Sequence, residues 1–404
     1  MERTDLKNRY GEVSQRLNKI GFGLLWTNFK RYKFALYDSK EICFDGKILP
    51  YDPKFLGNTS IFYKNEYVAI WNLEMDSVPD ADFLAANIVH EMFHCFQREN
   101  GETRYPDDLE LLTQNPENYN AKFFENVYLC GAFSEKDKET KIGLFDLFAG
   151  VRNFRKTLIG KDIINEFKAE TVEGLAEYVG TLALRRLSPD KYRVRMGEYI
   201  NFLRDEKLIF DIRRVSYFTG VMYFSLLEDI RPDFKRFKPN ETKTLYELTE
   251  SEKPSLPTAI EVNQNLQKRY GEIIGERKSK IDTFKAKRRT ELPEGCRIEG
   301  YDPMNMFRLG DFIFCSHFVF LSGPLAIEKP VLLEMRQRLR LILPNKLRSQ
   351  KNGGNAAKRN CIQSNLPERR QSENSLAKIV YFCYNAWVDR KGRKNILTLD
   401  NRSR

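Results

Sequence analysis

Two of the chain's three histidines stand four residues apart in the stretch His90-Glu91-Met92-Phe93-His94. On a helix, positions i and i+4 share a face, so both imidazoles can reach one ion. The glutamate directly after the first histidine can serve as base toward a water on that ion. A catalytic zinc takes three protein ligands and keeps one position open, so two histidines need a third partner. A third histidine six residues after the second would supply one, but that position is Asn100, and Gln97 stands where that pattern has glycine. The other solution is a carboxylate on a later helix. Glu170-Thr171-Val172-Glu173-Gly174-Leu175-Ala176-Glu177-Tyr178 offers Glu173 and Glu177 on one face, with Val172, Leu175, Ala176 and Val179 on the other. One carboxylate can bind the ion, and the other can accept the free N–H of a ligating histidine and fix its tautomer. Gly174 and Ala176 are small and permit close approach of a second helix. The same residues also read as a solvated acidic stripe, Glu166, Glu170, Glu173 and Glu177, in which Glu170 is the fallback ligand.

The histidines fall on an amphipathic segment that Asp80 or Asp82 can cap and that runs to about Arg98, with Leu84, Ile88, Val89, Met92, Phe93 and Phe96 as its apolar set. Before it, Asp5 to Ile20 has helical spacing of Leu6, Tyr10, Val13, Leu17 and Ile20. Lys33–Tyr37, Glu41–Leu49, Ser60–Lys64 and Tyr67–Asn72 read as strands, with Asp45-Gly46 a hairpin turn inside the second. After it the pattern predicts helices over Ala121–Phe133, Leu144–Leu158, Ile164–Leu187, Lys191–Arg204 and Ser216–Glu228, broken at Pro189 and Pro232. Thr258 to Arg288 reads as a long, charged, solvated helix, and Cys296 to Leu321 returns to strand pattern. The fold class is α+β: residues 1–80 an N-terminal helix and strands, 81–290 a helical catalytic region, 291–335 a small β-rich segment, and 336–404 a basic, flexible tail.

Composition bounds the function. At 404 residues, 41% hydrophobic and 30% charged, the chain reads as soluble, globular and large enough for two or three domains. No apolar run approaches the roughly 20 residues of a membrane helix, and the charged N-terminus carries no secretory signal. Seven scattered cysteines without a Cys-x-x-Cys pair suit a reduced, cytoplasmic protein. The net charge of +11 belongs to the tail: residues 336–404 hold 17 of the 67 basic and 4 of the 56 acidic side chains, so the remainder is nearly neutral. A basic tail without a finger or fold motif argues against nucleic acid as the main partner. His317, in an apolar strand run, reads as structural.

His90-Glu91-Met92-Phe93-His94 followed by Val172-Glu173-Gly174-Leu175-Ala176-Glu177-Tyr178 resembles the gluzincin zinc metallopeptidases, the group of thermolysin and the aminopeptidase N-like enzymes. The resemblance covers roughly residues 60–229. It implies a zincin-like catalytic region in which His90, His94 and Glu173 hold zinc, Glu91 is the general base and Glu177 supports a ligating histidine. Those aminopeptidases also carry a tyrosine in a Tyr-x-x-Gly context opening a later helix. Tyr217-Phe218-Thr219-Gly220 is similar, which makes Tyr217 the donor to a developing oxyanion, with Tyr223 the weaker choice. Two departures stand beside the likeness. His94 and Glu173 are 79 residues apart, so a helical insertion over about 101–160 must intervene, and the Gly-x-Met-Glu-Asn stretch that holds a free amine is absent. The expected function is therefore zinc-dependent hydrolysis of a peptide or protein substrate. The competing expectation is a non-catalytic zinc-binding or partner-binding protein with a vestigial site.

Overall fold

The computed structural model describes residues 6–106, 115–231, 241–257, 260–286, 298–301, 306–310, 312–315, 319–321, 326–327, 331–334 and 340–342. The chain divides into two units, Met1–Arg269 and Tyr270–Arg404. His317, Pro232 and the stretch beyond 342 lie outside the described residues.

The first unit opens with helix α1 (Leu6–Leu17), a single turn α2 (Phe22–Leu25), and five strands: β1 (Lys33–Tyr37), β2 (Glu41–Phe44), β3 (Lys47–Pro50), β4 (Thr59–Tyr63) and β5 (Glu66–Asn72). They form one sheet in the order β3-β2-β1-β5-β4. Only β1 and β5 run parallel, with Lys33 opposite Val68 and Tyr37 opposite Asn72. The β2–β3 hairpin turns at Asp45-Gly46 with φ of 54° and 72°, a two-residue turn whose positive angles match strand twist. Lys64-Asn65 turns β4 into β5 the same way, at φ of 50° and 65°. That turn carries no glycine, and asparagine is among the few residues that tolerate the left-handed region.

Helix α3 (Ala81–Glu99) follows, capped by the Asp80 carboxylate, which accepts from the N–H groups of Asp82 and Phe83. It packs on β5 and β4. From Ile88 to Gln97 every residue is buried, so the helix is enclosed on all sides. Helices α7 (Leu175–Leu187) and α1 pack on it, and α4 (Pro116–Ser134), α5 (Lys138–Ile159), α6 (Ile163–Ala169), α8 (Pro189–Leu203), α9 (Ile212–Ile230) and a short α10 (Leu245–Thr249) complete the helical part of the unit. Pro189 is the first residue of α8, where its missing N–H costs nothing, and Ser188 caps it. One apolar core joins Phe34, Leu36 and Trp71 of the sheet to Leu84, Ile88 and Phe93 of α3 and to Tyr178, Val179 and Phe224 of the helices.

The expected helix over Ile164–Leu187 is interrupted. Glu170–Gly174 is a π-helical turn, in which the N–H of Leu175 reaches the carbonyl of Glu170 five residues back. The extra residue turns the later part of the helix by about 100° relative to an unbroken α-helix, and such turns concentrate at functional sites. It divides the acidic stripe. Glu166 and Glu170 face buried arginines, while Glu173 and Glu177 face the histidines of α3. The reading of these four glutamates as a solvated face is thereby corrected, since Glu166 and Glu170 are each only 2% exposed.

Helix α11 (Gln264–Ala286) crosses from one unit to the other. In the second unit its Ile281 and Phe284 bury against Phe314, with Phe307, Leu309 and Phe312 alongside. Seven short strands complete the described part: β6 (Ile298–Tyr301), β7 (Met306–Leu309), β8 (Phe312–Cys315), β9 (Val319–Leu321), β10 (Ala326–Ile327), β11 (Val331–Glu334) and β12 (Arg340–Ile342). They make a three-stranded sheet, β10-β9-β6, and a four-stranded sheet, β12-β11-β8-β7. The β-rich segment thus continues to Ile342, past the start of the basic stretch at 336. No described helix is long and apolar enough to cross a membrane.

Candidate metal centre

Three side-chain atoms converge between α3 and the π turn. His94 Nε2 lies 3.1 Å from His90 Nε2 and 3.1 Å from Glu173 Oε2, and His90 Nε2 lies 3.9 Å from the same carboxylate oxygen. Nitrogen and oxygen ligands at zinc-bond length, placed tetrahedrally, are separated by about 3.3 Å, so the observed triangle fits one small ion.

The hydrogen bonds behind the rings decide what those atoms are. Gln97, one turn after His94, donates its amide N–H to the Val172 carbonyl at 2.9 Å. That fixes the amide orientation, so Gln97 Oε1, 2.7 Å from His94 Nδ1, must accept the ring proton. His90 Nδ1 stands 2.7 Å from Glu177 Oε2 in the same relation. With each Nδ1 engaged by an acceptor, Nε2 is the nitrogen left to face the other ring and the carboxylate, and it offers a lone pair once the imidazole is neutral. In the metal-free chain a proton holds these atoms together, and a metal ion that replaces it would meet two imidazole nitrogens and one carboxylate oxygen. Two imidazoles and one carboxylate are donor types that could hold a metal ion such as zinc.

Electrostatics follow from the same packing. Burial disfavours the His90 imidazolium, but the hydrogen bond it donates to Glu177 and the charges of Glu91, Glu177 and Glu173 outweigh it, and its pKa rises to about 9 in the metal-free chain. Burial raises the Glu173 carboxyl, yet His94, Arg213 and His90 hold it well below the usual carboxylate range. For Glu177, burial is likewise overcome, by His90, Arg195 and Tyr199, and its pKa falls to about 2. The Tyr199 hydroxyl donates to Glu177 Oε1, and the Arg195 guanidinium lies 3.6 Å from it.

Glu91 is buried beside the histidines, its carboxylate within 4.8 Å of both potential imidazole ligand atoms. Its Oε2 is buried without a hydrogen-bond partner. A buried acceptor left so is costly and calls for an occupant of the site that it can bond. Burial pushes its pKa up. Tyr217, on the first half of α9, lies nearly parallel to the His90 ring, with centroids 6.1 Å apart and 12° between planes. Burial and the charge of Glu173 push its phenol pKa up, against the pull of Arg213.

The helices reach this closeness through glycine. A Cβ on Gly174 would stand 2.8 Å from the Gly220 Cα, and one on Gly180 would stand 2.9 Å from the Ala86 carbonyl and 3.4 Å from the His90 Cβ. Nothing larger lets α7 and α9 bring Glu173, Glu177 and Tyr217 up to α3.

The structure thus brings together His90, Glu91, His94, Glu173, Glu177 and Tyr217. It removes two fallback choices. Glu170 is engaged by Arg152 and Thr219, and the Tyr223 hydroxyl bonds Thr249 at 2.8 Å inside the core. Asn100 caps the end of α3, and Cys95 packs in the core. Sequence reasoning missed Gln97, Tyr199, Arg195 and Arg213. Only Gln97 carried a local signal, being three residues from His94 on the same helix. No protein-family model, curated protein or solved structure matches this chain.

Proposed function

We propose that this protein is a zinc metallopeptidase of gluzincin type, in which His90, His94 and Glu173 hold the ion. The single observation that carries the reading is the convergence of two Nε2 atoms and one carboxylate oxygen, each imidazole pinned through Nδ1 by a partner behind it. Zinc bound there supplies Lewis acidity to a water and to a substrate carbonyl. Glu91 takes the proton of the attacking water. Its buried, unpartnered oxygen and raised pKa suit a group that accepts a proton and returns it to the leaving amine. Tyr217, kept protonated by burial and by Glu173, donates to the oxygen on which negative charge collects. Arg213 places a positive charge beside that phenol and Glu173. Glu177 and Gln97 hold the two imidazoles in the tautomer that leaves Nε2 free.

The test is Glu91→Gln, compared with wild type for zinc content and for cleavage of a peptide library. The variant should keep its zinc and lose activity by about a hundredfold or more, because only the base is deleted. A wild-type chain that binds zinc tightly and cleaves no member of the library would favour a non-catalytic zinc-binding protein.

A further inference from the structure

Beside the metal centre lies a second group of charges that the proposed chemistry does not use. Lys122 and Glu125 come from α4, Arg152 and Arg155 from α5, Glu166 from α6 and Glu170 from the π turn, and their side chains are 0–2% exposed. Three cations meet three anions. Lys122 Nζ is 2.9 Å from Glu125 and 3.2 Å from Glu166, and Arg155 joins Glu125 at 2.7 Å and also binds Glu166. Arg152 bridges Glu125 at 2.6 Å to both oxygens of Glu170, at 2.7 and 2.8 Å. Its guanidinium is also flanked by Phe148, Tyr246 and Phe167, 4.5, 4.6 and 5.1 Å from their ring centres. From α9, the Thr219 hydroxyl donates to Glu170 at 2.8 Å.

Burying six charges gains little stability over a well-packed apolar core, while their directional bonds fix geometry. What they fix is a turn that departs from the α-helix. Glu170 opens that turn, and Glu173 follows three residues later. Thr171 within it accepts from the Leu245 N–H at 3.0 Å, a second tie. The α4–α5 pair that supplies the arginines is the insertion separating the histidines from Glu173.

We propose that this ionic cluster positions the third ligand: through Arg152 and Glu170, the α4–α5 pair holds the Glu170–Gly174 turn in its π form and so delivers Glu173 to the imidazoles. The inference rests on Glu173 being a metal ligand. Glu170 and Arg152 are positioning residues and touch neither ion nor substrate.

The test uses the full chain, with zinc as the probe, and three variants. Glu170→Gln removes the charge and keeps the shape. Thr219→Val removes one hydrogen bond and is the milder change should the first fail to fold. Ile42→Ala, buried in β2, lowers thermal stability without touching the cluster. Zinc affinity by chelator competition should fall roughly 10- to 100-fold in Glu170→Gln, the range found for groups that orient metal ligands. In Thr219→Val it should fall about threefold or more, the low end of the net worth of one hydrogen bond. Ile42→Ala should melt earlier with unchanged affinity. Hydrogen exchange of the metal-free protein should show residues 170–174 opening faster in Glu170→Gln and not in Ile42→Ala. Unchanged affinity and unchanged exchange in the two cluster variants would overturn the proposal, as would an equal loss of affinity in Ile42→Ala. A wild-type chain that takes up no zinc would overturn the metal reading instead, and exchange, which needs no metal, tells that failure from failure of the cluster.

Discussion

Each imidazole at the centre is held through Nδ1 by a partner that is itself held: Gln97 by the Val172 carbonyl, Glu177 by Tyr199 and Arg195. Replacing Gln97 with Leu frees His94 to turn or change tautomer, so zinc affinity should drop about 10- to 100-fold with the fold intact, as read by chelator competition and circular dichroism. The charges also set a pH dependence. In the metal-free chain the His90 pKa is raised from 6.5 to about 9, so its contribution to stability is full below 6.5 and is lost as pH rises through about 9. Glu177 is depressed from 4.5 to about 2, so its contribution is present above 4.5 and is lost as pH falls through about 2. Zinc bound as proposed would displace the His90 proton. Calorimetry in buffers of different ionisation enthalpy should therefore show about one proton released per zinc at pH 7, and close to none once pH exceeds 9. No buffer dependence at pH 7 would count against His90 as a ligand. At this scale the sequence was legible where spacing alone decides. His90, His94, Glu173 and Glu177 were readable because i,i+4 pairs share a helix face. Tyr199 and Arg195 were not, because a different helix brings them to Glu177.

Helix α7 meets α3 at Gly180, and the π turn meets α9 at Gly174 and Gly220, where backbone lies against backbone. A methyl at Gly174 would force these segments apart at 2.8 Å from the Gly220 Cα. Gly174→Ala should cost about 1–3 kcal/mol of stability, seen as a lower Tm, and should weaken zinc binding as Glu173 retreats. A Tm unchanged from wild type would mean the close approach is not present in solution. Most elements were visible in the sequence: β1 matches its expected span, the Asp45-Gly46 turn is where its residues demand it, and α3 starts at the Asp80 cap. The π turn was not visible, since Glu170-Thr171-Val172-Glu173-Gly174 has no composition that separates it from an α-helix. The buried arginines of α5 and the hydroxyl of Thr219 select it, and these contacts are distant in sequence. For the same reason the acidic stripe read as solvated, since the arginines that neutralise Glu166 and Glu170 stand on another helix.

On the scale of the whole molecule, the sheet, α3 and the helices that carry Glu173, Glu177 and Tyr217 belong to one unit, Met1–Arg269, with one core. The nearly neutral body was legible from charge counting, and so was the α+β class, because strand-pattern and helix-pattern residues occupy separate stretches. How strands and helices share a core was not, because that depends on α3 lying against β5 while being covered by α7. The proposed metal centre is tested most directly by elemental analysis of the purified protein beside Glu173→Ala. About one zinc per wild-type chain is expected, with loss of most of it in the variant, whose two histidines alone make a weak site. Wild-type protein without zinc after incubation with the metal and removal of excess, or a Glu173→Ala variant with full zinc content, would contradict the proposed centre.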